Sequence, residues 1–345
     1  MSHLSNEIHE QPGILSRLFN EQAETAARIA AAIRARDVRY AVFAARGTSD
    51  NAARYAQYLF GALNRLPVAL ATPSLFSIYR TPPHMRGALV LGVSQSGQSP
   101  DIVAVVEEGK RQGALTVTVT NAPDSPLAQA ADFVLPLDAG RERAVAATKT
   151  YTAQLAALAL LAVQLAGDAQ RLAELQSVPE AVEETMALEM QIARAAQRYA
   201  YATECVVLGR GYNYATAFEI ALKLKELTYI VTEPYSSADF RHGPVAIVER
   251  GFPAIVVAPQ GEVYPDMLAL ARELSNREAE LIVISEQDEA LRLARTPLRL
   301  PMSLPEWLSP FTCVVPGQLL ALHVTLAKGY DPDHPRGLKK VTETR

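Results

Sequence analysis

Apolar positions along the chain follow two rhythms. Short continuous apolar runs at 39–45, 87–93, 115–120 and 133–137 read as strands. Residues 51–63, 100–112 and 149–166 read instead as helices. The order then restarts, with strands at 204–208, 252–258, 281–285 and 298–302 and helices at 214–227, 265–276 and 316–328. Strand–helix alternation with continuous apolar strands predicts α/β architecture, a parallel sheet covered by helices on both faces. Repetition of the element order predicts an internal duplication, two similar α/β units joined by a helical stretch at 179–201. Residues 13–36 read as one amphipathic helix outside the first unit, and the chain after Gly329 as a short charged tail. The expected division is a helical segment 1–36, a first domain 37–178, a linker helix with the second domain 179–330, and a tail 331–345.

Composition narrows the class. With 345 residues, 49% of them apolar, the chain can bury a large core without disulfides or metals. A net charge of −4 argues against a nucleic-acid partner. Cys205 and Cys313 both lie in apolar runs, which predicts buried thiols in a reducing compartment. The first residues are polar and acidic, without the basic-then-apolar layout of a signal peptide. No uncharged apolar stretch is expected to reach the roughly 18 residues of a membrane span. The run 151–166, punctuated by Gln154 and Gln164, reads as a buried core helix. These features together predict a cytoplasmic protein with no membrane contact.

One loop stands out chemically. The strand at 87–93 runs into Ser94-Gln95-Ser96-Gly97-Gln98-Ser99, and Pro100 suits the first turn of the next helix. A loop between a strand's carboxyl end and a helix N-terminus offers unpaired backbone N–H groups and the positive end of the helix dipole. Three hydroxyls add donors, and Gly97 lets the backbone approach a ligand. The alternative is an ordinary capped helix start with turn-forming serines. A comparable loop, Arg46-Gly47-Thr48-Ser49-Asp50, follows the strand at 39–45. No P-loop motif is present, and Gly209-Arg210-Gly211 lacks the third glycine of a dinucleotide fingerprint. No His/Cys cluster has metal-ligand spacing.

Candidate titratable groups lie further on. Glu219, Lys223 and Glu226 fall on one helix face at spacings of four and three; a solvated, salt-bridged stripe is the ordinary explanation. His242 sits in the loop Asp239-Phe240-Arg241-His242-Gly243-Pro244, and Lys339 and Lys340 in the tail.

Taken together, these pieces resemble the isomerase half of glucosamine-6-phosphate synthase, which is built from two sugar-isomerase (SIS) domains. The resemblance runs from Asn6-Glu7-Ile8-His9-Glu10-Gln11-Pro12 through Ala45–Ser49, Ser94–Gly97 and Ala144-Val145-Ala146-Ala147-Thr148-Lys149. It continues through Leu208–Gly211, Glu219–Glu226 and Arg241–Pro244 to Asp331–Lys340. It implies two domains, each a parallel-sheet three-layer sandwich of flavodoxin-like type. It further implies that Gly47, Thr48, Ser49, Ser94, Gln95, Ser96 and Ser99 hold a sugar phosphate; the family usually has Thr where Ser99 stands. Val145 and Ala146 would contact the sugar, Val145 through its backbone. Glu226 would be the base between C1 and C2, supported by Lys223 and Glu219. His242 would help open the ring, donated by the second subunit of a homodimer. Lys340 would form an imine with the open-chain ketose, although Lys339 replaces the usual Ala before it. Residues 331–345 would then form an active-site tail.

A carboxylate base and a lysine imine suffice to move a proton between adjacent sugar carbons, so no cofactor is expected. The synthase carries a glutaminase domain with an N-terminal cysteine, of which this sequence shows none. The leading expectation is therefore conversion of glucosamine 6-phosphate to fructose 6-phosphate and ammonia. Alternatives are an isomerase component working with a separate glutaminase partner, action on another amino-hexose phosphate or glycated amine, and a non-catalytic phosphosugar sensor.

Overall fold

A computed structural model describes residues 2–340. It opens with three helices, α1 (His3–His9), α2 (Gln11–Glu21) and α3 (Ala23–Arg34). Then come β1 (Tyr40–Ala44), α4 (Gly47–Asn64), β2 (Val68–Leu70), α5 (Ser74–Ser77), β3 (Ala88–Ser94) and α6 (Pro100–Arg111). β4 (Leu115–Thr120), α7 (Pro126–Ala130), β5 (Phe133–Pro136) and α8 (Lys149–Ala166) complete the first run. Helices α9 (Ala169–Glu174), α10 (Val178–Thr185) and α11 (Glu189–Tyr199) lead into β6 (Glu204–Gly209), α12 (Asn213–Thr228), β7 (Val231–Ser236) and α13 (Ser237–Arg241). The chain continues through β8 (Pro253–Val257), α14 (Tyr264–Asn276), β9 (Glu280–Ser285), α15 (Asp288–Leu291), β10 (Thr296–Arg299) and α16 (Ser309–Ala327).

Two compact units result. The first holds residues 13–142, 149–176 and 339–340; the second holds 2–12, 143–148 and 177–338. Loop 143–148 thus belongs with the second unit although both of its neighbours in sequence belong with the first. The first unit's sheet has the order β2-β1-β3-β4-β5, and the second unit's reads β7-β6-β8-β9-β10. Every pairing is parallel. Strand for strand the two orders are the same, so the duplication read from the sequence is a duplication of topology. The order 2-1-3-4-5 is the flavodoxin-like one.

Burial explains which strands the sequence announced. All residues of β3 and β4 are buried, as expected of central strands covered on both faces. Val42, Val90, Ile102, Val105, Val106 and Leu127 pack on one face of the first sheet; Leu208, Val256, Met267, Leu270 and Val283 do so in the second. The two strands missing from the sequence reading, β2 and β7, occupy corresponding edges. β2 has only three residues, and β7 contains Pro234, which an edge tolerates because one side of the ladder is unpaired.

Three helical expectations need correction. The segment 13–36 is two helices, not one: the chain turns at Gln22 (φ −100°, ψ 2°), whose side chain donates to Asp138 Oδ2 at 2.5 Å. No Gly or Pro marks that break. Helix α16 starts at Ser309 and runs through Pro316 rather than starting there. A helix held by packing on all sides tolerates one internal Pro. The same stretch, Glu306–Ala327, is in fact long and apolar enough to cross a membrane, contrary to expectation. It is 83% buried and packs against α10, α11 and α12, so it is a core helix.

Candidate functional site

In the first unit, β1 and β3 are neighbours whose following helices are α4 and α6. Here the strand order reverses direction, and ligands of open α/β sheets bind outside the carboxyl ends of such strands. Both candidate loops lie at this point. Arg46 precedes α4 and donates to Asp101, in the first turn of α6, from Nε (2.9 Å) and Nη2 (2.8 Å). The Asp101 side chain is fully buried, so this fork clamps the two helix N-termini together.

The serine loop is held in its turn by its own hydroxyls. Ser94 Oγ accepts from Gly97 N at 3.1 Å, and Ser96 Oγ from Gln98 N at 3.3 Å. Gly97 has φ +64°, and a Cβ there would lie 2.0 Å from Ser125 Oγ, so only glycine fits. Elsewhere in the chain Ser2, Ser125 and Ser236 cap their helices through side-chain oxygens. Ser99 precedes α6 without making a side-chain cap. Ser94 and Ser96 thus act as turn-forming serines, while the helix start itself has no serine cap. In the second loop, buried Ser49 Oγ accepts from Gln154 Nε2 at 2.8 Å. Gly47 at φ +54° and Thr48 form the start of α4. Burial pushes the Asp50 carboxyl up, more than Arg54 and Arg46 lower it, which limits negative charge at the start of α4.

The tail of the chain returns to the same unit. Lys340 Nζ lies 2.7 Å from Glu142 Oε2, whose side chain is fully buried. Glu142 also accepts from Thr150 N (3.1 Å) and Thr150 Oγ1 (2.8 Å). Lys339 is exposed. Residues 341–345 of the expected active-site tail lie outside the described residues.

In the second unit, α12 brings Glu219, Lys223 and Glu226 together. Lys223 Nζ is 2.6 Å from Glu226 Oε2 and 3.4 Å from Glu219 Oε1. Glu219 and Lys223 side chains are 0% and 1% exposed, while Glu226 is 24% exposed. This is not a solvated stripe: two members are buried and only Glu226 reaches solvent. Val145 and Ala146 sit in loop 143–148, half-buried and buried. His242 ends α13 and is exposed, on a loop pinned by Arg241 Nη1 to Asp266 Oδ1 at 2.7 Å. Burial raises Asp266, but bonds from Ser237, Arg210 and Arg241 outweigh it and hold the carboxyl below its usual range. Among the described residues no hydrogen bond or ion pair links His242 to the α12 trio, and no cluster of His, Cys, Asp or Glu is placed to hold a metal ion.

The duplication exposes a difference. Arg210 and Asp266 repeat the Arg46–Asp101 clamp at 2.8 Å. Yet the second unit's counterpart of the serine loop is filled from within. Glu306 Oε2 accepts from Glu262 N at 2.9 Å and Oε1 from Val263 N at 3.3 Å, just before α14. A Cβ on Gly261 would lie 2.3 Å from the Glu306 carboxyl carbon. The chain's own carboxylate takes the place where an anion would sit. Sequence reasoning missed Glu142, Glu306 and the Arg46–Asp101 clamp, because nothing local marks a charged loop residue as buried. Gln154 carried a signal, a polar residue inside an apolar helix.

Comparison with known proteins agrees with the fold. The profile of the SIS domain matches residues 36–164 and 199–328. A glutamine–fructose-6-phosphate aminotransferase (isomerizing) of Thermus thermophilus is 37% identical over 352 positions, covering 98% of this chain but 58% of that protein. The chain therefore spans less than two thirds of that relative's length. A solved structure from Silicibacter pomeroyi, provisionally described as a phosphosugar isomerase, has a TM-score of 0.87 at 34% identity. That alignment covers 96% of this chain and 100% of the other. A glucosamine-6-phosphate deaminase from Thermotoga maritima superposes with a TM-score of 0.81 at 23% identity over 99% of this chain and 100% of that one, a likeness of fold.

Proposed function

The chain belongs to the SIS domain family, and from that premise we propose that it is a hexose 6-phosphate isomerase that deaminates glucosamine 6-phosphate. The observation that carries this reading is the buried Glu219–Lys223–Glu226 trio. Taking such charges out of water costs several kcal/mol per ion, and buried pairs are weak contributors to stability. A trio with one accessible carboxylate is better explained as a held base.

On this reading the serine loop binds the 6-phosphate, with Gly47, Thr48 and Ser49 adding donors. His242 assists ring opening. Glu226 takes the proton from C2 of the open-chain aldose and returns it to C1, leaving an iminium at C2. Lys223 and Glu219 fix the position of Glu226. Lys340 adds to C2 and displaces ammonia, and water then hydrolyses the lysine imine to release fructose 6-phosphate. Glu142, 2.7 Å from Lys340 Nζ, is placed to accept its proton. The contrast between anchored Lys340 and exposed Lys339 supports Lys340 as the imine former. Deamination needs only water as co-reactant, whereas synthesis needs an ammonia source, which favours the degradative direction.

Coupled assays for ammonia and fructose 6-phosphate test the proposal, with galactosamine 6-phosphate and a fructosyl-amino-acid phosphate as competitors ranked by kcat/KM. Glu226→Gln is expected to bind the sugar phosphate and lose turnover. Folded protein that releases neither product from glucosamine 6-phosphate would overturn the reading.

His242 is assigned to the site of a second copy, a placement supported by its exposure. Mixing inactive His242→Ala and Glu226→Gln chains should then restore about a quarter of wild-type activity, as random exchange in a dimer dictates. No recovery on mixing would place His242 with its own chain.

A further inference from the structure

We infer that Glu7 is a positioning residue that sets the conformation of the sugar-contacting loop 143–148. The inference rests on the proposed role of Val145 in that loop. Glu7 is 3% exposed, and its two carboxylate oxygens accept from consecutive backbone N–H groups, those of Arg143 and Ala144 (the latter at 3.2 Å). Val145 is the next residue. A carboxylate gripping two successive N–H groups fixes both peptide planes, and so fixes the direction in which the backbone of Val145 leaves them.

The helix that carries Glu7 has only seven residues, too short to be stable by itself. Contacts at both ends hold it. Asp333 accepts from His3 N at 2.8 Å and Leu4 N at 2.9 Å, and Ser2 Oγ accepts from Ser5 N at 3.1 Å. Leu4 and Ile8 are fully buried. Just past the helix, Gln11 Nε2 donates to Gln318 Oε1 at 2.8 Å. His9 Nδ1 donates to Ser5 O at 2.8 Å, and its Nε2 lies 3.0 Å from Glu189 Oε2. The helix is a fixed peg, and Glu7 is the side chain it presents to a loop that has no regular structure of its own.

A purely structural Glu7 would affect stability and all ligands alike. A positioning Glu7 affects the sugar and not the phosphate, because inorganic phosphate reports on the serine loop alone. The test is the ratio of dissociation constants for inorganic phosphate and glucosamine 6-phosphate, measured by calorimetry on full-length Glu7→Gln with kcat and KM followed in parallel. Expected are a rise of about tenfold in Kd and KM for the sugar phosphate and a change under twofold for inorganic phosphate. The loss in kcat should be smaller than the rise in KM. Asp333→Ala, which loosens the helix without altering Glu7, should shift the ratio about threefold in the same direction and decides the matter if Glu7→Gln does not fold. A ratio within twofold of wild type overturns the inference, as does a wild-type protein that binds the sugar phosphate no better than phosphate. Failure of the proposed reaction reads differently: both ligands bind, the ratio responds to Glu7→Gln, and no ammonia is released.

Discussion

Replacing Gly97 by alanine tests the phosphate loop with a single methyl group. At φ +64° an L-residue costs about 1–2 kcal/mol relative to glycine. The new Cβ would stand 2.0 Å from Ser125 Oγ and 2.5 Å from Ser125 Cβ, so Ser125 has to move. Ser125 caps α7 by accepting from Ala128 N at 3.3 Å, and losing that cap costs about 1 kcal/mol. The expected loss of stability is therefore about 2–3 kcal/mol, within reach of a folded protein of this size. If the loop relieves the strain by leaving its left-handed turn, the Ser94 Oγ–Gly97 N bond breaks and the proposed phosphate site loses its shape. Affinity for inorganic phosphate should then fall about tenfold or more, since hydrogen bonds to a charged group are worth about 1.5–3 kcal/mol each. Urea denaturation gives the first quantity and calorimetric titration with phosphate the second. Phosphate affinity within twofold of wild type, together with a stability loss below about 1 kcal/mol, would refute this account of the loop.

Other consequences are open to measurement. Borohydride in the presence of fructose 6-phosphate should trap a covalent adduct with wild type and Lys339→Ala but not with Lys340→Ala, and Glu142→Gln should trap more slowly; mass spectrometry reads the result. Glu306→Ala should cost about 1–2 kcal/mol in urea denaturation as two N–H groups at a helix start lose their acceptor, while leaving phosphate affinity at the serine loop unchanged. Burial pushes the Cys205 thiol up to about 12 and Cys313 well above its usual value, so both should resist alkylation at pH 8 until the chain is unfolded, Cys205 by about a thousandfold in rate. Burial likewise pushes Tyr199, bonded to Thr296, up to about 12. Free tyrosine ionises near 10, so the unfolded chain loses this proton first; stability on the order of 2–3 kcal/mol should be intact below about pH 10 and lost as pH rises toward 12, as urea midpoints across that range will show.

What the sequence disclosed follows from where the physics is local. Central strands such as β3 and β4 are buried on both faces, so their composition alone reveals them. Edge strands β2 and β7 owe their place to a neighbour's backbone, which leaves no compositional trace. The serine loop was legible because strand end, Gly97 and Pro100 are contiguous. The α12 trio was legible as a spacing, but whether that face was wet or dry depended on packing. The charged segment Arg141-Glu142-Arg143 looks like solvent-exposed loop, and only the fold shows that the middle residue is buried beneath Thr150 and Lys340.

On the proposed reading, the duplication accounts for an anion site in one copy only. Both copies retain the Arg–Asp clamp between two helix N-termini, Arg46–Asp101 in one and Arg210–Asp266 in the other, so the scaffold that gathers backbone donors is common to both. Such donors must be satisfied, by a ligand or by the protein. In the first unit two of them, Gly97 N and Gln98 N, are taken by the Ser94 and Ser96 hydroxyls, neutral acceptors that bring no charge to repel an incoming anion. The second unit satisfies them permanently with Glu306, whose negative charge would repel a phosphate as well as exclude it. On that reading the second copy carries its chemistry on the side of α12, where Lys223 Nζ lies 2.6 Å from Glu226 Oε2. The corresponding helix of the first unit, α4, presents Gly47, Thr48 and Ser49 at its start, with Ser49 tied to Gln154. If the serine loop is the anchor and Glu226 the base, each chain takes one sugar phosphate rather than two.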